Sequence, residues 1–219
     1  MQSKTLFLLF FLVTGISNLS GQVLQIGLLA HASKALIIPS LMGYVWSCYS
    51  PSRLYLIALF FSWLGDLFLI PEGSQFFVTG IAAFWLTQII YCRLMLKHLG
   101  EGLLRQLKKK KALLPLLLLG GYLCFMLLLM SPQLGPLQVP VSLYAATLTV
   151  TGFLGVLIAL EKETKTALYL ASGCLLFVIS DSMIAFDAFY FKQKVFGPWV
   201  MATYIPAQFL IATFLAKKY

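Results

Sequence analysis

Apolar residues run along this chain in long, nearly unbroken stretches, not in the alternating or one-sided patterns of water-soluble strands and helices. The stretches fall at approximately 5–20, 23–49, 54–70, 76–96, 112–130, 137–160, 166–191 and 195–216. A membrane-crossing helix needs roughly 20 apolar residues, so the pattern predicts an all-α, polytopic bundle of about eight transmembrane helices. Charges and Pro/Gly clusters mark the breaks. Pro71-Glu72-Gly73-Ser74 ends the third stretch, the basic segment 97–111 separates the fourth from the fifth, Ser131-Pro132-Gln133 closes the fifth, and Glu161-Lys162-Glu163 follows the sixth. The second stretch, interrupted by His31 and Lys34, reads in two ways: one long helix with Lys34 inside it, or a short amphipathic entry followed by a helix from Ala35. The first, behind Lys4, has the apolar core and small residues of a signal peptide. It lacks an A-x-A-like cleavage site, so it reads as a retained helix. No linker, low-complexity segment or internal repeat appears, and residues 1–219 form a single membrane domain in this reading.

Composition leaves little room for anything else. Of 219 residues, 60% are hydrophobic and 11% charged, whereas soluble domains run at about 45–50% and about 25%. The mean hydropathy of +0.91 agrees. The four cysteines, Cys48, Cys92, Cys124 and Cys174, stand singly in apolar stretches without a CxxC pair, so they read as small buried hydrophobes.

The net charge of +9, from 16 basic and 7 acidic residues, does not call for a nucleic-acid partner in a lipid-embedded chain, because the positive-inside bias explains it. Alternating the helices puts Lys4, Arg53, Arg93, Lys97, Arg105, Lys108–Lys111, Lys162, Lys165, Lys217 and Lys218 on the side of the N-terminus. Only Lys34, Lys192 and Lys194 fall on the other side. Both termini are therefore expected in the cytoplasm (N-in/C-in). The run Lys108–Lys111, with Arg105 behind it, reads as a topology anchor, not as a specific headgroup site.

Ionisable groups inside a membrane are costly and mark functional candidates. Asp66, in Ser62-Trp63-Leu64-Gly65-Asp66, lies near the non-cytoplasmic end of the third helix; Asp181, in Ser180-Asp181-Ser182, lies in the same half of the seventh. Two carboxyl groups at similar depth in low dielectric do not both ionise cheaply, which leaves a protonated acid beside a carboxylate base. Such a pair suits general acid/base hydrolysis. The same residues also suit interhelical hydrogen bonding, with Gly65 and Ser180 allowing close packing, or proton relay in a small proton-coupled transporter or lipid carrier. Asp187, six residues past Asp181 and on another helix face, reads equally as pocket lining or as a structural carboxylate.

A stripe at helical spacing in the fourth helix (Phe76, Gly80, Phe84, Gln88, with Tyr91 beyond) and the pair Tyr204/Gln208 in the eighth either line a pocket or bond neighbouring helices. Lys34 is positioned to neutralise an aspartate, to hold a phosphate, or to snorkel to the interface. Other chemistries lack their residues. His31 and His98 are the only histidines and fall on opposite sides, so a His-rich zinc site is not built and no metal is expected. No GxSxG, P-loop or GxGxxG sequence occurs.

Taken in order, Lys34 with Pro39, Ser62 with Gly65-Asp66, Phe76-x3-Gly80-x3-Phe84 with Tyr91, Phe177 with Ser180-Asp181-Ser182 and Ala185, and Tyr204 with Gln208 resemble the YhhN-like lysoplasmalogenase family of integral membrane proteins. Two positions depart from that pattern: Gln88 stands where it often carries His, and Ala35 where it carries Pro after the lysine. The resemblance implies an ether hydrolase of a multi-pass protein in a bacterial inner membrane or the endoplasmic reticulum. Its substrate would be a lysophospholipid, lysoplasmalogen, cleaved at the vinyl ether to a fatty aldehyde and glycerophospho-ethanolamine or -choline. It further implies Asp66 and Asp181 as catalytic, Lys34, Gln88, Tyr91, Tyr204, Gln208 and Asp187 as substrate-binding candidates, and no cofactor.

Overall fold

A computed structural model describes residues 2–100, 102–107 and 109–217. Glu101, Lys108 and Lys218 lie outside the described residues, as does the side chain of Arg105. The described residues form α1 (Gln2–Val23), α2 (Gly27–Cys48), α3 (Arg53–Phe68), α4 (Ser74–Leu99), α5 (Gly102–Leu107), α6 (Lys110–Leu134), α7 (Gln138–Lys162), α8 (Lys165–Ala185) and α9 (Gly197–Leu215), with no strand among them. A single 3-10 turn, Gly135–Leu137, joins α6 to α7, and α8 runs on into a π-helical turn, Phe186–Phe191. The basic connection after α4, which reads as plain loop in the sequence, contains the short helix α5. α2 is continuous through Lys34 and Pro39.

Six segments are long and apolar enough to cross a membrane. One of them, Lys110–Lys162, spans 53 residues and holds both α6 and α7. α3, with 16 residues, extends only about 24 Å at 1.5 Å per residue. Large apolar side chains face outward along these segments: Leu28 is 84% exposed and Leu128 77%. Water does not tolerate such a surface over a whole molecule, and hydrocarbon does. The protein is an integral, multi-pass membrane protein.

Helix contacts close a ring. α1 packs on α2, α2 on α3, α3 on α4, α4 on α7, α7 on α8, α8 on α9, and α9 returns to α1. α6 stands outside this ring against α7, and α9 also touches α2 and α4 across it. Chain neighbours alone would give a meander, so two non-sequential contacts, α4 with α7 and α9 with α1, make the interior.

Local chemistry fixes how the helices around that interior start and meet. Ser52 and Thr164 cap α3 and α8, their hydroxyl oxygens accepting from the Tyr55 and Ala167 amides at 3.2 and 3.3 Å. In α2, Pro39 has no N–H to give the carbonyl four residues back, Ala35. The Trp63 indole of α3 donates to that oxygen instead, at 2.9 Å, which locks α3 to α2 one residue from Lys34. α8 and α9 touch through Gly173: a β-carbon there would stand 2.9 Å from the Ala207 carbonyl oxygen and 3.0 Å from the Ile211 nitrogen. Close backbone approach of this kind is how helices associate in lipid, where apolar burial gives no drive.

Gly173→Ala is therefore expected to push α9 off α8 and destabilise the protein by about 1–3 kcal/mol. Thermal unfolding in detergent, read against the unsubstituted protein, measures the drop; an unchanged midpoint would show the α8–α9 contact to be looser than described.

Candidate functional site

Six helices send polar side chains into the ring. Asp66 of α3 is buried at 2% exposure, and a buried carboxylate requires partners. It has two. The Lys34 ammonium of α2 lies 3.8 Å from Oδ1, and the Tyr204 hydroxyl of α9 donates to Oδ2 at 2.8 Å. Tyr204 has one proton and gives it to Asp66, so the Ser62 hydroxyl, 2.9 Å away, donates to the Tyr204 oxygen. Gln208 Nε2 donates to Ser62 Oγ at 2.6 Å and to the Tyr204 oxygen at 3.1 Å. Its Oε1 accepts from the Tyr91 hydroxyl of α4 at 3.0 Å. The i/i+4 pairs Ser62/Asp66 and Tyr204/Gln208 thus face each other across two helices, one polar row against the other. Of the sequence-predicted residues, Lys34, Asp66, Tyr91, Tyr204 and Gln208 all join this one network.

Aromatic rings floor it. Phe84, Phe177 and Tyr204, from α4, α8 and α9, meet edge to face with centroids 5.5–6.2 Å apart. Phe84 seats on Gly65, where a β-carbon would come within 2.6 Å of the ring. The Gly80/Phe84 stripe therefore serves packing of α4 on α3 beside Asp66.

Asp181 of α8 lies within electrostatic range of both Lys34 and Asp66, but its surroundings are different. No cation stands within ion-pair distance of it among the described residues, and its carboxylate Oδ2 accepts a hydrogen bond from the Tyr144 hydroxyl of α7. Asp181 and Tyr144 are the polar members of a narrow crevice of about 40 Å³, otherwise lined by Leu69, Phe77, Ile81, Phe84, Val141, Ile184, Ala185 and Phe189.

Gln88, also fully buried, comes alongside the Tyr144 hydroxyl, yet neither its Nε2 nor its Oε1 completes a hydrogen bond. A buried polar group left so costs about 1–3 kcal/mol. Asp187 is placed elsewhere. Its Oδ1 accepts from the Val195 and Phe196 amides at 2.9 and 3.1 Å, so the carboxylate pins the turn into α9. Nearby, Lys194 pairs with Glu72 at 3.1 Å, both exposed. A wider hollow of about 430 Å³, lined by Gln106, Lys109, Lys111, Glu161 and Glu163 among others, opens at the charged ends of α6 and α7, away from the ring interior.

Two contributors are not among the site candidates of the sequence. Ser62 enters there only with Gly65-Asp66, as part of the family resemblance. Tyr144 carried no motif, although Tyr144, Thr147 and Thr151 form a polar row at helical spacing in an otherwise apolar segment, and Thr147 accepts from the Trp85 indole at 2.9 Å.

Residues 29–215 match the YhhN family. The chain is similar to the protein named lysoplasmalogenase TMEM86A of Bos taurus, with 32% identity over 175 residues, 78% of this chain and 68% of that protein. The protein of the same name from Homo sapiens is 31% identical over 175 residues, with the same shares. No solved structure matches the chain. The family match begins before Lys34 and ends beyond Gln208, so it contains the entire polar interior, and this chain belongs to the YhhN family.

Proposed function

We propose that this protein is a lysoplasmalogenase, an intramembrane hydrolase that cleaves the vinyl-ether bond of a lysophospholipid bearing an ethanolamine or choline headgroup. One observation carries the reading: carboxyl groups from two separate helices share one buried interior, and the one without an ion-pair partner among the described residues lines an apolar crevice. The name of the two relatives supports the same substrate class.

Vinyl-ether hydrolysis begins with a proton added to the β carbon of the double bond, which turns the α carbon and ether oxygen into an oxocarbenium ion. Asp181 supplies that proton where the vinyl-ether end of the alkenyl chain meets the apolar side chains of Phe77, Ile81, Val141 and Phe189. Asp66 keeps its charge, fixed by Lys34 and Tyr204, and offsets the positive charge that develops nearby. Water then adds to the α carbon and gives its proton back to Asp181. The resulting hemiacetal collapses: its hydroxyl proton leaves, the bond to the glycerol oxygen breaks, and that oxygen is protonated. Fatty aldehyde and glycerophosphodiester depart with no net proton consumed. Lys34, 15% exposed, is the cation available to the phosphate. The reaction exchanges no electrons and asks for no cofactor.

Eight crossings, with α1, α2, α3, α4, α6, α7, α8 and α9 each traversing once, and an N-in/C-in arrangement complete the proposal. It places Lys192 and Lys194 outside and the lysines at the start of α6 in the cytoplasm, as the positive-inside rule requires.

Asp181→Asn is expected to lower aldehyde release from a lysoplasmalogen in micelles by about 10²–10⁴-fold, the ordinary range for a lost acid/base group. Asp66→Asn is expected to lose about 10²–10³-fold, as for a lost electrostatic stabiliser. Since Asp66→Asn leaves Lys34 unpaired, K34M/D66N is measured beside it: it should fold and remain inactive, because removing both members of a buried pair is tolerated better than removing one. Near-normal turnover in any of these takes that residue out of the mechanism, and release of fatty acid from an ester lysophospholipid would contradict vinyl-ether specificity.

For topology, a fluorescent protein fused after Tyr219 should light up in the cytoplasm, and alkaline phosphatase fused after Gln193 should be active on the far side. A reversal of either signal refutes the orientation.

A further inference from the structure

We propose that the hollow between the start of α6 and the end of α7 binds the zwitterionic phosphodiester headgroup of a membrane lipid, with the phosphate on Lys109 and Lys111 and the ammonium on Glu161 and Glu163. This site is separate from the ring interior and does not rest on the hydrolase reading.

The hollow measures about 430 Å³, within the roughly 300–1,000 Å³ of ordinary ligand pockets. Two lysines and two glutamates line it, yet none of the four forms an ion pair among the described residues. Opposite charges that share one space without meeting leave both signs open to a ligand that carries both. Glu161 has its place reserved: a β-carbon on Gly102 would stand 2.8 Å from its Oε1. Its other oxygen, Oε2, is turned from solvent with no donor to meet it, and a carboxylate held in this way calls for a cation nearby. Gln106 of α5, only 5% exposed, lines the same hollow, and its carboxamide makes no hydrogen bond among the described residues.

Both helix ends carry the sign that their own dipoles disfavour. α6 opens at Lys110 with no side chain capping it, so its free amides and positive dipole end lie among the lysines. α7 ends with Glu161 in its last turn and Glu163 as its cap. Glu163 takes the left-handed conformation, φ 47, where glycine is the usual residue. Within the protein these placements cost stability. For a ligand they add up: a phosphate beside α6 meets lysines and dipole together, and an ammonium beside α7 meets glutamates and dipole together. The positive-inside rule accounts for the lysines alone, since acids contribute little to it.

The depth of the hollow points to a lipid. It lies at the two charged ends of the apolar segment Lys110–Lys162, which is headgroup level for a helix pair that crosses the bilayer. Leu113, Leu114 and Leu117, 55–64% exposed, continue α6 into the hydrocarbon, so chains attached to a headgroup in the hollow have an apolar surface to follow. α6 stands outside the ring against α7, and a headgroup held by both helix ends ties it in place.

Full-length protein in detergent, titrated with dioleoyl phosphatidylethanolamine, tests the site. At about 100 times its dissociation constant this lipid should raise the thermal midpoint by roughly 5–10 °C. Dioleoyl phosphatidylglycerol, which has the phosphate without the ammonium, should raise it less. K109Q/K111Q should weaken binding of both lipids about tenfold or more, and E161Q/E163Q that of phosphatidylethanolamine alone, as for lost contacts to charged groups. E163G supplies the residue that the left-handed cap favours and removes one carboxylate. It should therefore raise the midpoint of the lipid-free protein while shrinking the rise that phosphatidylethanolamine gives. Equal responses to the two lipids, or an undiminished response in E161Q/E163Q, would overturn the zwitterionic site and leave the lysines as a topology anchor. Displacement of the lipid by an equal concentration of free glycerophosphoethanolamine would overturn the lipid assignment in favour of a soluble diester. Aldehyde release plays no part in these readouts, so the site and the hydrolase reading stand or fall separately.

Discussion

The constraint from which the rest of this molecule follows is that Asp66 carries a carboxylate into a place with almost no water. Hydrocarbon does not stabilise such a charge, and the desolvation it suffers is recovered only by partners with good geometry. Lys34 and Tyr204 are those partners, and they come from α2 and α9. One buried charge therefore ties three helices into a single register. The ties that flank it point the same way: the Trp63 indole on the carbonyl freed by Pro39 holds α3 to α2, and the Ser62, Tyr204 and Gln208 bonds hold α3 to α9. In a bilayer, where apolar contacts between helices are no better than contacts with lipid, polar bonds of this kind have a large say in which helices become neighbours.

That dependence also explains how much the sequence could disclose. The helical, membrane-embedded class is written in the length of the apolar stretches. Asp66, Asp181 and Lys34 stand out as candidates by the rarity of charge within those stretches. Tyr91, Tyr204 and Gln208 stand out because polar groups at helical spacing in apolar segments need an explanation, and interhelical bonding and pocket lining are two ends of the same one. What periodicity does not give is adjacency. The ring closes through α4 with α7 and α9 with α1, contacts between segments distant in the chain, so nothing in the sequence around Tyr144 shows that it will face Asp181. The Asp187 carboxylate, indistinguishable in the sequence from a second pocket acid, is consumed by the backbone amides of its own turn. Its π-helical setting, which aims it there, has no sequence signature of the strength of a cap or a proline.

The interior is divided into two halves of different character, and the division fits the proposed catalysis. The half around Asp66 is closed. The side chains of Ser62, Tyr91, Tyr204 and Gln208 hydrogen-bond to one another and to Asp66, the aromatic floor is packed edge to face, and Gly65 lets Phe84 lie against α3. Such a network is rigid, and rigidity is what a fixed electrostatic stabiliser needs: dipoles and charges that do not have to reorganise when charge develops beside them. The half around Asp181 is open. It has a crevice, an apolar wall, a carboxyl group with one protein hydrogen bond and a carboxamide with none.

A protein that only needed to bond its helices together would have no use for that second half. Polar residues retained for packing alone tend toward full satisfaction, because each unsatisfied atom in low dielectric is a standing loss that an apolar residue of equal volume would remove. Gln88 is such an atom pair, placed one helical turn from Phe84 and alongside Tyr144. A proton relay through the ring would favour continuous hydrogen bonding from Asp66 to Asp181, and the bonds described run instead from Asp66 away toward Gln208 and Tyr91. Incomplete satisfaction beside an apolar crevice agrees with the proposed hydrolase, whose water and substrate oxygen need partners that the folded chain has not already taken.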